Sequence, residues 1–547
     1  MTSLPLPTDW AELGRRFGSR LMDVDAPLAA CLVDPEGPAC AEEIARLTNP
    51  FAIEDDPGAF HTTGWLNAFE SRHSPRTVLP ESAEDVATLV RFCVQRGAPI
   101  VVKGTGHDYL GRSSRADALM VWTHHMRDVT VHDAFSPQGS DPLEPGTPAI
   151  SLGAGTRWLE AYQAVQSRHR YVQGGGCTSV GVVGLTLGGG FGSFSRRFGT
   201  AAGNLLEAEV VTASGDIVVA NVHSHPELFW ALRGGGFGFG VVTRLTMRTH
   251  EPPSTLCAVA GTIRASSADA YRRLIRRLVD VFPSLCDDRW GEQIRFSENH
   301  SVELALLGVD LSQQDADAVW EPVFSWVARQ PDYDSDAFVT STPFEGFWDA
   351  QAWDALIPQM IRHDPRPGQP RERFWWAPNQ SEVSQYLHAY QSRWLPARLF
   401  SEAPEELAGS IFEASHHWHV SLHFNKSLHG ANTQAVARDR ETSVNPAVFE
   451  AGTLVIIASA QQYAFPGIPG HEPDLGLATR CAERVSAAMA PLRAMAPGAG
   501  SYVNETDYFE HNWQDTFWGT NYPRLLDVKR RYDPDNLFRV HHAVGSE

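Results

Sequence analysis

Between residues 82 and 97 the chain reads SAEDVATLVRFCVQRG, with apolar positions at helical spacing between a serine and a glycine. The pattern predicts a helix capped by Ser82 and closed by Gly97. APIVVKG (98–104) follows as an apolar run that reads as a strand delivering a loop. Further strands are read at ALMVWT (118–123), AISLGAG (149–155), AEVVTASGDIVVA (208–220) and GVVTRLTMRTH (240–250), with RWLEAYQAVQSR (157–168) as a helix among them. This is an alternating α/β texture with several glycine-rich connections, where a Rossmann chain shows one.

Before residue 74 the chain reads as a helical lead-in with loops. After about residue 256, Trp, Phe, His and Pro become frequent. The segments HHWHVSLHF (416–424) and TLVIIASAQQYA (453–464) suggest strands of a second sheet. No internal repeat, low-complexity tract or Gly/Ser hinge is visible.

The 547 residues, 43% of them hydrophobic, suffice for one large core or two ordinary ones. Lys and Arg number 45 against 65 Asp and Glu, a formal charge of -20 without a long basic run. That balance argues against nucleic acid or an anionic membrane surface as partner. The first 21 residues lack a basic segment followed by an apolar one, and no run of about 18 apolar residues occurs, so a cytoplasmic protein is expected. Seven cysteines without a repeating spacing describe neither a disulfide scaffold nor a CxxC metal site. Cys31 and Cys40 would close a small loop in an exported protein and are otherwise ordinary thiols.

Three stretches carry the chemistry. VVKGTGHDYLGRSS (101–114) holds His107 among small residues, YVQGGGCTSVGVVGLTLGGGFG (171–192) holds Cys177, and ELFWALRGGGFGFGVVT (227–243) is a third glycine run. Neither GxxxxGK[ST] nor a helix-opening GxGxxG is present, which removes a conventional ATP or NAD site. Glycines bring backbone N–H groups close to a bulky ligand, and three such loops suit a large flat cofactor.

The chain resembles the FAD-linked oxidases of the vanillyl-alcohol-oxidase superfamily, in the berberine-bridge-enzyme-like branch. KGTGHDYLGRSS is similar to that family's RxGGHDYxGxS loop, GGGCTSVGVVGLTLGGGFG to its GxCPTVGxGGxxxGGGxG segment, and NYPRLLDVKRRYDPDNLFRV (521–540) to its C-terminal signature. The resemblance implies FAD bound covalently, 8α-histidyl through His107 and 6-S-cysteinyl through Cys177. It places Lys103, Gly104, Thr105, Gly106, Asp108, Val180, Gly181, Gly184, Gly188, Gly189, Gly190, Asn521 and Tyr522 at the cofactor. Lys103, Thr105 and Thr178 replace the family's arginine, glycine and proline; charge and hydrogen-bonding capacity are kept, so phosphate binding should survive.

The implied fold is α+β: a two-domain PCMH-type FAD-binding fold with an antiparallel-sheet substrate domain covered by helices. The expected divisions are a lead-in packed on the FAD domain (1–73), the FAD-binding domain (74–255), the substrate domain (256–504) and a C-terminal segment (505–547) returning to the FAD domain. Val180, three residues after Cys177, is the kind of small residue found in members that react with oxygen. In SYVNETDYFEHNW, Glu505 stands where many relatives carry the second tyrosine of Y-[VLI]-N-Y, and it is the candidate base, with Tyr502 as the alternative. The glutamate or glutamine that some relatives carry on a substrate-domain strand aligned with GTLVIIASA is Ala458 here.

His417, His419 and His423 share an i, i+2 strand pattern that can hold a metal, but no carboxylate or cysteine completes the set and no metal is expected. Trp375, Trp376 and Trp418 suit either an aromatic pocket or core. The expected activity is oxidation of an alcohol on a bulky small-molecule substrate, such as an oligosaccharide or natural-product intermediate, with O2 as acceptor and H2O2 as product. Oxidative decarboxylation or cyclisation on the same scaffold is the alternative, and a non-catalytic flavin- or sugar-binding protein a second.

Overall fold

The structure is a computed structural model that describes residues 10–547. Residues 1–9 of the expected lead-in lie outside the described residues. The helix over Ala83–Arg96 forms as its pattern dictates: the Ser82 hydroxyl accepts from Asp85 N at 3.2 Å, and Gly97 closes it at φ 61°. Val86, Leu89, Val90 and Cys93 are buried on its inner face. It connects strands Arg76–Val78 and Ile100–Lys103, which both pair in parallel with Leu119–Trp122. Leu21–Asp23 adds an antiparallel edge to this four-stranded sheet.

A second sheet of the FAD-binding region runs Ile217–Ala220, Leu205–Val211, Val241–His250, Thr147–Gly153, Val129–Phe135, every pair antiparallel. The chain then builds a ten-stranded sheet whose centre is Trp290–Phe296, Val420–His423, Ala451–Gln462 and Gln385–Pro396. Its pairs are antiparallel except that of Thr62–Trp65 with Gln385–Pro396. Helices Ala268–Val279, Pro404–His417 and Leu475–Met495 bury Leu274, Ile411 and Val485 in the core beneath it.

Within the lead-in, Thr62–Trp65 and Phe69–Glu70 complete the far edge of the ten-stranded sheet. One expectation needs correction. The 416–424 segment is not one strand: the helix runs on through His417, and the strand begins only at Val420. Of the three histidines only His423 lies in the strand, and His417 ends the helix because the apolar residues Leu407, Ile411 and Ala414 carry the helical period up to it.

Buried Arg196 staples the two sheets' regions together. Its guanidinium donates to Phe424 O, Ser427 Oγ and Gly452 O at 2.7, 2.7 and 2.6 Å. At the opposite end, Trp518 Nε1 donates to Gly234 O and Lys529 Nζ to Gly238 O, so the C-terminal helices lie on the third glycine run. Cys31 and Cys40 form a disulfide that joins two short N-terminal helices. No described helix is long and apolar enough to cross a membrane.

Candidate active site

The strand Ile100–Lys103 ends in the first glycine loop, which sets His107 over the buried turn 54–61. His107 Nε2 lies 3.3 Å from Glu54 Oε1 and 3.0 Å from Ser179 Oγ. The His61 ring stacks on that of His107 with centroids 3.6 Å apart. Glu54 is fully buried; burial raises its pKa, but Arg157 and the two imidazoles outweigh that and hold it well below the usual carboxylate range. Burial depresses His61 to about 3, so this imidazole is neutral at physiological pH. His61 Nε2 faces Glu54 Oε1 at 3.7 Å, and its Nδ1 has no hydrogen-bond partner.

The second loop brings in Cys177, whose Sγ stands 3.5 Å from the same Ser179 Oγ. Burial pushes this thiol up to about 12. The two loops are sewn together by Gly181 N donating to Thr105 Oγ1 at 3.0 Å. Within the second loop glycine is essential where the chain meets itself: a Cβ on Gly192 would lie 1.9 Å from Gly174 O. Gly106, Gly189 and Gly190 have φ of 83°, 111° and 79°, and a Cβ on Gly188 would collide with the Asn504 side chain. At Gly104, Gly176 and Gly184, by contrast, a Cβ would meet no protein atom closer than 3.7 Å.

Beyond Cys177, toward the ten-stranded sheet, Tyr109, Glu292, Glu382, Tyr390 and His423 are half-buried as Cys177 is, yet burial is the main cause of the pKa shift of each, the combination expected of side chains that line a cleft. Trp376 closes one side by donating its indole N–H to Gly176 O at 3.0 Å. Tyr109 OH donates to Glu382 Oε2 at 3.1 Å, and burial raises the pKa of that carboxyl. At the far end Lys426 Nζ pairs with Glu505. Tyr502 is buried, edge-on to Phe191 with centroids 5.0 Å apart, and its pKa is raised by burial and then by the Glu505 charge.

The other expected positions divide. Val180 keeps part of its surface, and its carbonyl accepts from Trp158 N. Asp108 accepts from Arg112 N and Nε at 2.6 and 2.8 Å, shaping the loop after His107. Lys103 departs from its expected role at a phosphate: fully buried, its ammonium donates to Asp56 O and Ala59 O at 2.6 and 2.7 Å, and burial lowers its pKa to about 7. It fixes the turn below His61 instead. Asn521 donates to Val444 O, which backs Gly189, and Tyr522 OH donates to Glu547, so both brace the C-terminal segment. Trp375 is core and donates to Gln380, and Trp418 donates to Ala458 O, whereas Trp376 reaches the Cys177 loop at Gly176 O.

Sequence reasoning did not find Glu54, His61, Arg157, Ser179, Glu292, Glu382 or Lys426. They come from six separate chain segments, and no spacing announced them. The geometry fits a flat cofactor: two nucleophilic side chains at one hydroxyl, glycines whose Cβ positions meet no close protein atom, and a buried His61 stacked on His107 with Nδ1 unpartnered. Glu54, His61 and His107 are also the one cluster of metal-ligand type among the described residues, but Arg157 already neutralises its carboxylate.

Comparison with known proteins agrees. Residues 75–221 match the model of an FAD binding domain, and residues 501–545 match that of berberine and berberine-like proteins. The FAD-linked oxidoreductase easE of Aspergillus fumigatus is 31% identical over 94% of this chain and 77% of its own length. The VAO-type flavoprotein oxidase VAO615 of Thermothelomyces thermophilus is 28% identical over 99% of this chain and 91% of its own. The crystal structure of the VAO-type flavoprotein MtVAO615 from Myceliophthora thermophila superposes with a TM-score of 0.79 at 24% identity, covering 100% of this chain and 96% of that one. Glucooligosaccharide oxidase from Acremonium strictum, which carries a 6-S-cysteinyl, 8α-N1-histidyl FAD, has a TM-score of 0.66 at 18% identity, covering 90% of this chain and 94% of that one.

Proposed function

This chain belongs to the FAD-linked oxidoreductases of the VAO type with a berberine-like C-terminal segment, and from that premise we propose an oxidase whose flavin is bonded to both His107 and Cys177 and whose substrate is a bulky alcohol. The observation that carries the reading is the convergence of the imidazole and the thiol on Ser179 Oγ. Ionised Glu54 accepts at His107 Nε2, which fixes the hydrogen there and leaves the lone pair on Nδ1, the nitrogen free to bond carbon. His107 and Cys177 would hold the flavin, with Gly104 and Gly176 against its face.

Bound flavin supplies a two-electron acceptor that dioxygen can reoxidise, with H2O2 as product. Removing hydride from an alcohol carbon requires that the hydroxyl proton leave too. Glu505 takes that proton in this reading: its carboxylate, paired with Lys426, borders the cleft, and Tyr502 is too weak an acid to serve as the base at neutral pH. Tyr502 positions the Glu505 turn through the backbone pairing of the two residues. Val180, beside the Cys177 loop, is the small residue that leaves oxygen a path.

Bulky substrates follow from the cleft. Two covalent links keep the cofactor without a closed lid, and the walls from Trp376 to Tyr390 offer aromatic surface for a sugar ring or a polycyclic metabolite. The glucooligosaccharide oxidase among the structural neighbours acts on such a substrate. The test is a screen of alcohols, sugars and hydroxy acids for peroxide release, with carbon dioxide measured in parallel. Peroxide with an equivalent carbonyl product supports the reading; carbon dioxide with the peroxide turns it to oxidative decarboxylation. Failure of every compound to bleach the flavin without air overturns it in favour of a binding protein.

A further inference from the structure

A cavity of about 370 Å³ shares no residue with the cleft beyond Cys177, and three arginines line it: Arg233, Arg248 and Arg438. They come from three elements. Arg233 closes the helix Pro226–Leu232, Arg248 stands on the strand Val241–His250, and Arg438 belongs to the helix Thr433–Arg440, which the chain inserts between two strands of the ten-stranded sheet. Arg233 is buried and engaged, donating to Ala202 O, Glu441 O and Arg438 O at 3.0, 3.2 and 3.1 Å. The other two are not. Nε of Arg248 and Nε of Arg438 are buried without a hydrogen-bond partner, and the Arg438 side chain makes a single bond, to Phe198 O at 3.1 Å.

In a chain of formal charge -20, none of these three cations has a carboxylate within ion-pair distance among the described residues. Of the carboxylates that act on Arg233 and Arg438 through space, buried Asp439 is held by Thr200 N and Oγ1, and Glu441 is exposed, as is Glu144, which also lines the cavity. Burial, and then the charges of Arg438, Arg248 and Arg170, lower the neighbouring His250 to about 3. Guanidiniums with buried N–H groups that lack acceptors are complementary to an oxyanion, which takes parallel N–H bonds from their forks. The remaining wall is apolar, with Phe135, Leu205, Val222 and Phe229. A space of this size holds a small organic molecule.

Beyond the oxidase reading, we propose that this cavity is a second binding site, for a small organic anion whose carboxylate or phosphate is held by Arg248 and Arg438 and whose apolar body lies against Phe135 and Phe229. The site stands behind the second glycine loop. Ala202 O accepts from Arg233 while Ala202 N donates to Gly189 O at 2.8 Å, so one turn separates the arginines from that loop. A bound anion bridges Arg248 and Arg438 and thereby ties the helix Thr433–Arg440 to the strand Val241–His250.

The holoenzyme is titrated calorimetrically with phenyl phosphate, benzoate, inorganic phosphate and the uncharged benzamide, beside Arg248→Met and Arg438→Met, which remove the charge and keep an unbranched chain. The Arg248 side chain makes no hydrogen bond or ion pair among the described residues, so Arg248→Met is expected to fold as the wild type does. Phenyl phosphate or benzoate should bind the wild type at millimolar concentration or below, raise its thermal midpoint and leave the flavin absorbance unchanged. Each variant should weaken that binding about tenfold or more, the strength of one charge-assisted hydrogen bond. Binding of neither anion, equal binding by the wild type and both variants, or benzamide binding as tightly as benzoate overturns the proposal. So does inorganic phosphate binding as tightly as phenyl phosphate, which leaves the apolar wall unused, and so does a shift of the flavin absorbance, which puts the anion in the catalytic cleft. None of these readouts needs turnover, so a failure of the oxidase reading leaves them intact.

Discussion

The His107 imidazole and the Cys177 thiol, 70 residues apart in the chain, meet on one hydroxyl: Ser179 Oγ stands 3.0 Å from His107 Nε2 and 3.5 Å from Cys177 Sγ. Each side chain is delivered by its own glycine loop, so the links should form separately. His107→Ala is expected to keep a cysteinyl flavin and Cys177→Ala a histidyl flavin. Peptide mass mapping after proteolysis checks both, with the flavin moving to the surviving residue.

Glu505→Gln removes the proposed proton acceptor while keeping its shape. Loss of a positioned base costs about 10²–10⁴ in rate. We expect kcat to fall by that order with flavin content and substrate binding little changed, measured by stopped-flow bleaching without air. Unchanged bleaching would move the base elsewhere.

Glu54 makes the site sensitive to acid. Its folded pKa lies below its ordinary 4.5, so its contribution to stability is complete above that value and lost as pH falls through the depressed one. Glu54→Gln leaves Arg157 with its charge uncompensated by this partner and is expected to destabilise by about 3–5 kcal/mol at pH 7. The gap to wild type should narrow below pH 4.5, followed by the thermal midpoint of each protein across pH.

The glycines separate by what they face. Gly192→Ala drives a methyl into Gly174 O and is expected to lower both the melting point and the flavin content. Gly104→Val points into open space in the protein, so it should spare the melting point of flavin-free chain and lower flavin loading alone. The absorbance ratio of flavin to protein, beside calorimetry, separates the two.

Much of the fold was legible because its rules are local. The Ser82 cap, the Gly97 close and the apolar strand runs specify their elements from within a few residues. The covalent-site candidates were legible for a related reason, since His107 and Cys177 sit in glycine loops of recognisable spacing. What was hidden is long-range. Lys103 keeps the positive charge its motif suggests, but the carbonyls of Asp56 and Ala59 claim it. His417 looked like a strand residue because HHWHVSLHF alternates, while the preceding apolar residues of Pro404–His417 carry the helix through it. Lys426 and Glu505, 79 residues apart, become a pair only where the ten-stranded sheet meets the C-terminal turn.

The most direct test of the account is the mass of the intact chain after denaturation in acid. Full-length protein should run heavier than its sequence by one FAD, all yellow colour should stay with the precipitate, and only the double variant His107→Ala, Cys177→Ala should release it. A wild-type chain at its sequence mass, with flavin free in the supernatant, would contradict it.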